Sequence, residues 1–154
     1  MLKMKKLVCL LALLSMSVFA APAVKSITLR DTQNLTGDRR IPHSKLTPEA
    51  VALKNAAAFV LYDWVAYSET LPAAQAAKWR NKKVTPGQRK TRAQSLKANH
   101  QYTVISAEQQ PDASKPATAT VVMEERIQKT VCKYKLTLRK TSGGWVVVAF
   151  DEIK

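Results

Sequence analysis

The chain has 154 residues, and its 25 lysines and arginines against 11 aspartates and glutamates give a formal net charge of +14. This length is typical of one domain, and it is enough to bury a hydrophobic core without disulfides or metal ions. Two cysteines exclude a disulfide-rich scaffold, and the sequence contains no metal-ligand cluster, no phosphate-binding loop and no catalytic motif.

The first 20 residues have the layout of a cleavable secretory signal peptide. Three lysines precede an uncharged apolar run over residues 7–19, and Val18 and Ala20 place short side chains before a cut after Ala20. We therefore expect the mature protein in a bacterial periplasm or in the medium. An uncleaved membrane anchor is the alternative, because the uncharged span over residues 7–24 reaches the lower length limit for crossing a bilayer.

Cleavage would leave Cys132 as the single cysteine, so no intramolecular disulfide could form even in an oxidising compartment. An intermolecular bridge or a reactive thiol is the alternative role for such a cysteine. Cys132 shares its strand parity with Tyr134, Leu136 and Leu138, whereas basic residues take the opposite parity. We therefore predict that Cys132 faces the apolar side of a strand as a small hydrophobic side chain.

Residues 21–46 are predicted to form a flexible lead-in, with a short strand within residues 26–30. A helix is predicted from Pro48 to about Glu69, because Thr47 can cap it and apolar residues recur at spacings of three and four. Two shorter helices are predicted over residues 73–81 and 86–98.

Beyond residue 100 the pattern changes to the alternation of β-strands. The predicted strands cover residues 102–108, 117–125, 130–138 and 145–153. Gly143 and Gly144 supply the tight turn before the last strand, and the nearly continuous apolar run in that strand predicts a central position in the sheet. The order of elements predicts a single α+β domain over residues 47–154, with N-terminal helices packed on a four-stranded antiparallel sheet.

Three segments of this region follow a known pattern: residues 117–122 (ATATVV), 134–140 (YKLTLRK) and 143–147 (GGWVV). With the preceding long helix they resemble the nuclear transport factor 2-like superfamily, also called cystatin-like. The resemblance covers roughly residues 47–153, and its specific part is confined to these segments. It implies a cone-shaped fold with a curved sheet, and it implies fold far more than function.

Members of this superfamily include small dehydratases and isomerases, protein-binding adaptors, and the periplasmic domain of an inner-membrane assembly factor in type IV secretion. The assembly factor resembles this chain in its compartment and in its order of helices and strands. It normally keeps its membrane anchor, whereas this chain is predicted to lose its N-terminal segment. That difference weakens the expectation of a specific secretion role.

Superfamily enzymes usually place an Asp–His pair or a Tyr inside the cone. We expect His43, in a predicted loop, and His100, between a helix and a strand, to be surface or boundary residues. Asp63 could be a general base in a hydrophobic cone, but helical spacing places it off the apolar stripe and favours an exposed side chain. The candidate pocket residues are Tyr62, Asp63 and Tyr134. No catalytic residue, metal site or cofactor is predicted.

The interval from Thr70 to Ala107 contains no acidic residue and is rich in lysine and arginine. The predicted basic face comprises Lys78, Trp79, Arg80, Lys82, Lys83, Arg89, Lys90, Arg92 and Lys97. Such a surface attracts anions, here an acidic envelope protein or lipid head groups. Nucleic acid, on which Trp79 could stack, is less favoured by export, and a charge that only maintains solubility is the alternative.

Together these features predict an exported, non-enzymatic binding or adaptor protein of the cell envelope, for example an accessory of a secretion or conjugation machinery. The alternative is a small cone-fold enzyme or ligand carrier that uses the sheet interior. A pocket lined by Asp63 and a histidine would favour the alternative, and a filled cone would favour the adaptor. A homodimer through the sheet is also expected.

Overall fold

A computed structural model describes residues 26–28, 41–98, 100–110 and 115–154. The predicted signal peptide and most of the lead-in lie outside the described residues. The helical elements are a 3-10 turn (His43–Lys45), α1 (Pro48–Val60), α2 (Trp64–Glu69), α3 (Ala73–Arg80) and α4 (Pro86–Lys97). The strands are β1 (Ser26–Thr28), β2 (His100–Gln110), β3 (Thr118–Ile127), β4 (Thr130–Thr141) and β5 (Gly144–Ile153).

The strands form one antiparallel sheet in the order β1-β2-β3-β4-β5. The four long strands are those that the sequence predicts, and β1 adds a three-residue edge within the predicted short strand. Helices that precede a meander of strands make this an α+β domain, as predicted. Within the described residues, no helix is both long and apolar enough to cross a membrane.

The prediction that the last strand is central is wrong, because β5 lies at an edge of the sheet. Its apolar first half is buried for a different reason: other segments cover its free edge. The Val147 amide donates to the Thr70 carbonyl at 2.7 Å, and His43 Nε2 donates to the Trp145 carbonyl at 2.8 Å. These two hydrogen bonds satisfy backbone groups that an open edge strand would expose.

Two β-bulges bend the sheet. The register between β2 and β3 shifts between Val104 and Ser106, which leaves Ile105 as the extra residue. The register between β4 and β5 shifts at Leu138 and leaves Val148 as the extra residue. Bulges increase twist and bend the strand that contains them, and they explain why the apolar side chains of Ile105 and Val148 are exposed.

The single predicted helix from Pro48 to Glu69 is two helices, and this part of the prediction is wrong. The start is as expected, since Thr47 Oγ1 accepts a hydrogen bond from the Ala50 amide at 3.3 Å. Helix α1 ends at Val60, and Tyr62 then adopts a left-handed conformation with φ of 56°. Asp63 begins α2 by capping it, with Oδ1 accepting from the Ala66 amide at 3.1 Å.

Helix α1 lies deep in the domain. Ten of its thirteen residues are buried, and much of this segment is alanine. Small side chains allow close approach to the sheet, where Val51 and Leu53 join a core with Val121, Leu136 and Leu138. Burial of such aliphatic side chains stabilises the fold by about 1.5–3 kcal/mol each, so this helix-to-sheet contact holds the two layers together.

The 3-10 turn docks onto the start of β5 through Gly144. This glycine has φ of +122°, and a Cβ there would lie 3.0 Å from the His43 carbonyl oxygen and from Ser44 Cα. The turn and the strand can therefore meet only if this position lacks a side chain. Residues 43–45 consequently pack against the first residues of β5.

We predict that Gly144→Ala lowers the free energy of unfolding by roughly 1–3 kcal/mol, because it combines an unfavourable φ with a clash against backbone atoms. Gly143→Ala is the matched control, since its Cβ would meet only Thr141 Oγ1 at 3.8 Å. Chemical denaturation of both variants measures the difference. Equal stabilities for the two variants would contradict this account of the docked turn.

Candidate functional site

A pocket of about 450 Å³ lies between the helices and the concave side of the sheet. Helices α1, α2 and α3 form one wall, and strands β2 to β5 form the other. The lining residues are Asn55, Ala56, Phe59, Val60, Tyr67, Leu71, Gln75, Tyr102, Glu125, Tyr134, Val147, Val148, Ala149 and Phe150. This volume suits a small organic molecule, and an apolar lining with a few polar groups is typical of ligand sites.

Aromatic rings line both walls of the pocket. On the helix wall, Phe59 and Tyr67 have ring centroids 5.3 Å apart. On the sheet wall, Tyr134 and Phe150 have ring centroids 4.9 Å apart. Phe59 and Phe150 remain 48% and 45% exposed, so their faces are available to a molecule that enters the pocket.

A buried carboxylate with its hydrogen-bond donors forms part of the pocket lining. Glu125 Oε1 accepts hydrogen bonds from His100 Nε2 and from the Tyr102 hydroxyl, each at 2.6 Å. Glu125 Oε2 accepts from the Tyr134 hydroxyl at 2.8 Å. We call Glu125 and its three donors, His100, Tyr102 and Tyr134, the carboxylate cluster.

Strand register brings these four residues together. Tyr102 on β2 is directly opposite Glu125 on β3. On β4, Cys132 is directly opposite Glu125, so Tyr134, two residues further along, is a diagonal neighbour of Glu125. On β2, His100 is two residues from Tyr102 and is also a diagonal neighbour of Glu125. Directly opposed and diagonal residues on one face are within reach of each other when their side chains are long or aromatic.

Burial and hydrogen bonding act on the Glu125 pKa in opposite directions. Burial raises the pKa, but the hydrogen bonds from His100, Tyr102 and Tyr134 favour the ionised form and hold the pKa below its ordinary value of 4.5. Burial and the adjacent carboxylate raise the pKa of both tyrosine hydroxyls. Glu125 is therefore ionised at neutral pH, and both tyrosines are protonated donors.

The lowered pKa of Glu125 links this cluster to stability. Because the folded state binds this proton less readily than the unfolded chain, the cluster stabilises the fold fully above the ordinary pKa. That contribution is lost as the pH falls from 4.5 through the lower folded value. The contribution of Glu125 to the stability of the fold is thus lost in acid.

The structure places the three predicted pocket residues differently. Tyr134 lines the pocket, whereas Tyr62 and Asp63 do not contribute to its lining. Tyr62 packs edge-on against Trp64 with ring centroids 5.5 Å apart, and Asp63 caps α2. Both residues lie at the break between α1 and α2, and the structure does not bring Asp63 into the pocket lining.

The expectation that His100 is a surface or boundary residue is wrong, since only 4% of it is exposed. His43 does lie at a boundary, where burial lowers its pKa against the raising effect of its hydrogen bond to Trp145. Sequence reasoning also missed Glu125 and Tyr102. The signal that could have identified Glu125 is its strand parity. It shares that parity with the buried Val121 and Met123, which places its carboxylate on the buried face of β3.

Cys132 is free and half-buried, on the same face of β4 as the fully buried Leu136 and Leu138. This confirms that its side chain faces the apolar side of the sheet. Among the described residues, no three His, Cys, Asp or Glu side chains are close enough together to hold a metal ion.

The predicted basic residues lie on and after α3 and on α4. Helix α4 contributes no buried residue, and it begins with a capping box in which Thr85 and Gln88 exchange hydrogen bonds. The residues that are exposed are Lys78, Arg80, Lys82, Lys83, Arg89, Lys90 and Lys97, and Arg92 is half-buried. None of these eight cations pairs with a carboxylate in the part of the chain that the structure describes.

Trp79 differs from the sequence-based expectation of a ring available for stacking. It packs against Phe59, Trp64 and Tyr67, with ring centroids 5.1–6.2 Å away. The Lys82 ammonium lies 4.3 Å from its ring centroid, in a cation–π contact. Trp79 is therefore a packing residue that joins α3 to the helix wall of the pocket.

Comparisons with known proteins do not assign this chain to a family. No known protein family matches the sequence, and no curated protein matches it. Among solved structures, the solution structure of a SEC-C motif-containing protein from Rhodopseudomonas palustris is similar at 15% sequence identity. The match has a TM-score of 0.47 and covers 80% of this chain and 92% of that chain. A likeness of this strength assigns neither a family nor a function.

Proposed function

We propose that this protein is an exported, non-enzymatic binding protein that holds a small ligand in the pocket between its helices and its sheet. The observation that carries the proposal is the open pocket of about 450 Å³ with aromatic walls and a carboxylate in its lining. This pocket is lined by neither Asp63 nor a histidine, the features expected from the sequence for the enzyme or ligand carrier, but its open interior supports a ligand carrier more than an adaptor with a filled interior.

The proposal includes the cone-shaped, nuclear transport factor 2-like fold. The two bulges at Ile105 and Val148 support this fold, because bulges bend a sheet and a cone needs a bent sheet. The segments that resemble the superfamily form β3, β4, and the turn and first half of β5. Export rests on the predicted signal peptide, and a homodimer through the sheet stays a prediction that a monomeric mass at micromolar concentration would contradict.

The carboxylate cluster supports binding rather than catalysis. A general base needs a pKa near the working pH. Glu125 has a lowered pKa and already accepts three hydrogen bonds from described residues. The Tyr102 and Tyr134 hydroxyls have raised pKa values, so they are weak acids.

We predict that a neutral indole probe, tryptophol, binds the mature protein at this pocket. In ¹⁵N NMR titrations, amide shifts should concentrate at residues 55–60 and 147–150 and should be absent from α4. Phe59→Ala should weaken binding by about tenfold, because it removes an exposed aromatic wall. Val65→Ala is the control, since Val65 is similarly exposed but does not line the pocket.

Shifts confined to other surfaces, or no shifts with either tryptophol or its amine analogue tryptamine at millimolar concentration, would refute the ligand-pocket proposal. Equal affinities of the Phe59→Ala and Val65→Ala variants would place any binding outside this pocket.

A second candidate function is recognition of an anionic partner by the basic face, with an acidic envelope protein as the favoured partner. The eight predicted cations, which no described carboxylate neutralises, support it. Unpaired exposed cations raise the association rate with an oppositely charged surface. Nucleic acid is the weaker candidate, because the Trp79 ring is already packed against other aromatic residues.

The test is photo-crosslinking from position 89 in the native host. We expect a discrete higher-mass band that is lost when Lys90, Arg92 and Lys97 become Glu. The matched control replaces Lys133, Lys135 and Arg139 of β4, which are three exposed cations outside this face, and should keep the band. The absence of a crosslinked band, or an equal loss of that band in both triple variants, would refute the adaptor function at this face.

A further inference from the structure

The charge of the pocket lining is opposite to that of the whole protein. The chain has a net charge of +14, yet no lysine, arginine or histidine is among the residues that line the pocket. Glu125 is the charged residue in that lining, and 12% of its side chain is exposed. The site therefore presents negative charge within a strongly basic molecule.

Glu125 retains capacity for one more hydrogen bond. A carboxylate offers about four acceptor positions. The donors among described residues fill two on Oε1 and one on Oε2. The remaining acceptor position is on Oε2, which accepts one hydrogen bond, from the Tyr134 hydroxyl on the pocket wall. A ligand that brings a donor to this point completes the set, whereas an acceptor or an anion would meet repulsion.

A second carboxylate lies at the same end of the sheet. Glu152 on β5 is the direct cross-strand partner of Tyr134, and Phe150 is the partner of Leu136 on the same strand pair. The aromatic walls also favour a cationic ligand over an anionic one. The faces of aromatic rings carry negative quadrupole density, which attracts cations. The rings in the lining are Phe59, Tyr67, Tyr134 and Phe150.

We propose that the ligand of this pocket is an organic cation, with an aromatic or apolar body between the two walls and a protonated amine at Glu125 Oε2. This inference rests on the proposed ligand-binding function and adds the chemical class of the ligand. The same arrangement disfavours fatty acids, organic phosphates and other anions. The basic face and the pocket consequently select partners of opposite charge.

The experiment compares three probes of one shape on the wild-type protein by calorimetry: tryptamine, tryptophol and indoleacetate. They carry an amine, a hydroxyl and a carboxylate on the same indole body. We expect tryptamine to bind at least about tenfold more tightly than tryptophol, because a hydrogen bond to a charged group exceeds a neutral one. Indoleacetate should bind more weakly than either.

Glu125→Gln should reduce the affinity for tryptamine much more than the affinity for tryptophol, so that the preference for the amine is lost. Glu108→Gln is the matched control, because it removes the same charge from an exposed position of β2 and should keep the preference. A measurement that needs no variant is the nuclear Overhauser contact between the aminomethylene protons of tryptamine and the Tyr134 ring, which we expect in the wild type.

Equal affinities for the three probes, or a preference for indoleacetate, would overturn the cation proposal and leave the ligand pocket standing. The cation proposal also fails if folded Glu125→Gln keeps the tryptamine preference, or if the amine contacts a wall other than Tyr134. Failure of every probe to bind in the pocket would remove both proposals together.

Discussion

The burial of one carboxylate organises the wall of the pocket that the sheet provides. An ionised side chain in a mostly apolar interior is costly unless donors surround it. Strands β2 and β4 supply these donors to Glu125 on β3 from both sides, through His100, Tyr102 and Tyr134. Because the carboxylate needs these donors, the positions of three side chains depend on it. Two of them, Tyr102 and Tyr134, line the pocket, and all three keep this end of the sheet polar.

The opposite wall depends on the break between α1 and α2. A continuous helix would carry its apolar stripe straight past the sheet, whereas the turn at Tyr62 lets α2 fold back beside α1. Asn55 Nδ2 donates to Thr70 Oγ1 at 2.7 Å, and the Thr70 carbonyl accepts from Val147 on β5. This chain of contacts joins α1, the end of α2 and the edge of the sheet, and the pocket is the space left between them.

Local signals in the sequence predicted much of this fold. The Thr-Pro pairs marked the starts of α1 and α4, and alternation located the four long strands. Two of the errors have a common cause, since they depend on contacts between residues that are distant in the sequence. Strand β5 is an edge strand whose free side is covered by His43 and Thr70, which are far away in the sequence. His100 is buried because its cross-strand partner, Ile127, lies two residues from Glu125 on β3. The helix break had a local signal in Asp63, but it lay within a strongly periodic apolar run.

The most direct test of this account is the pH titration of the Glu125 side-chain carboxyl by ¹³C NMR. If three hydrogen bonds hold the carboxylate in its ionised form, its titration midpoint will lie below the ordinary value of 4.5. The midpoint should rise in Tyr134→Phe, which removes the Oε2 donor. A wild-type midpoint at or above 4.5 would show that burial outweighs the donors, and it would contradict the carboxylate cluster as the organising element of the pocket.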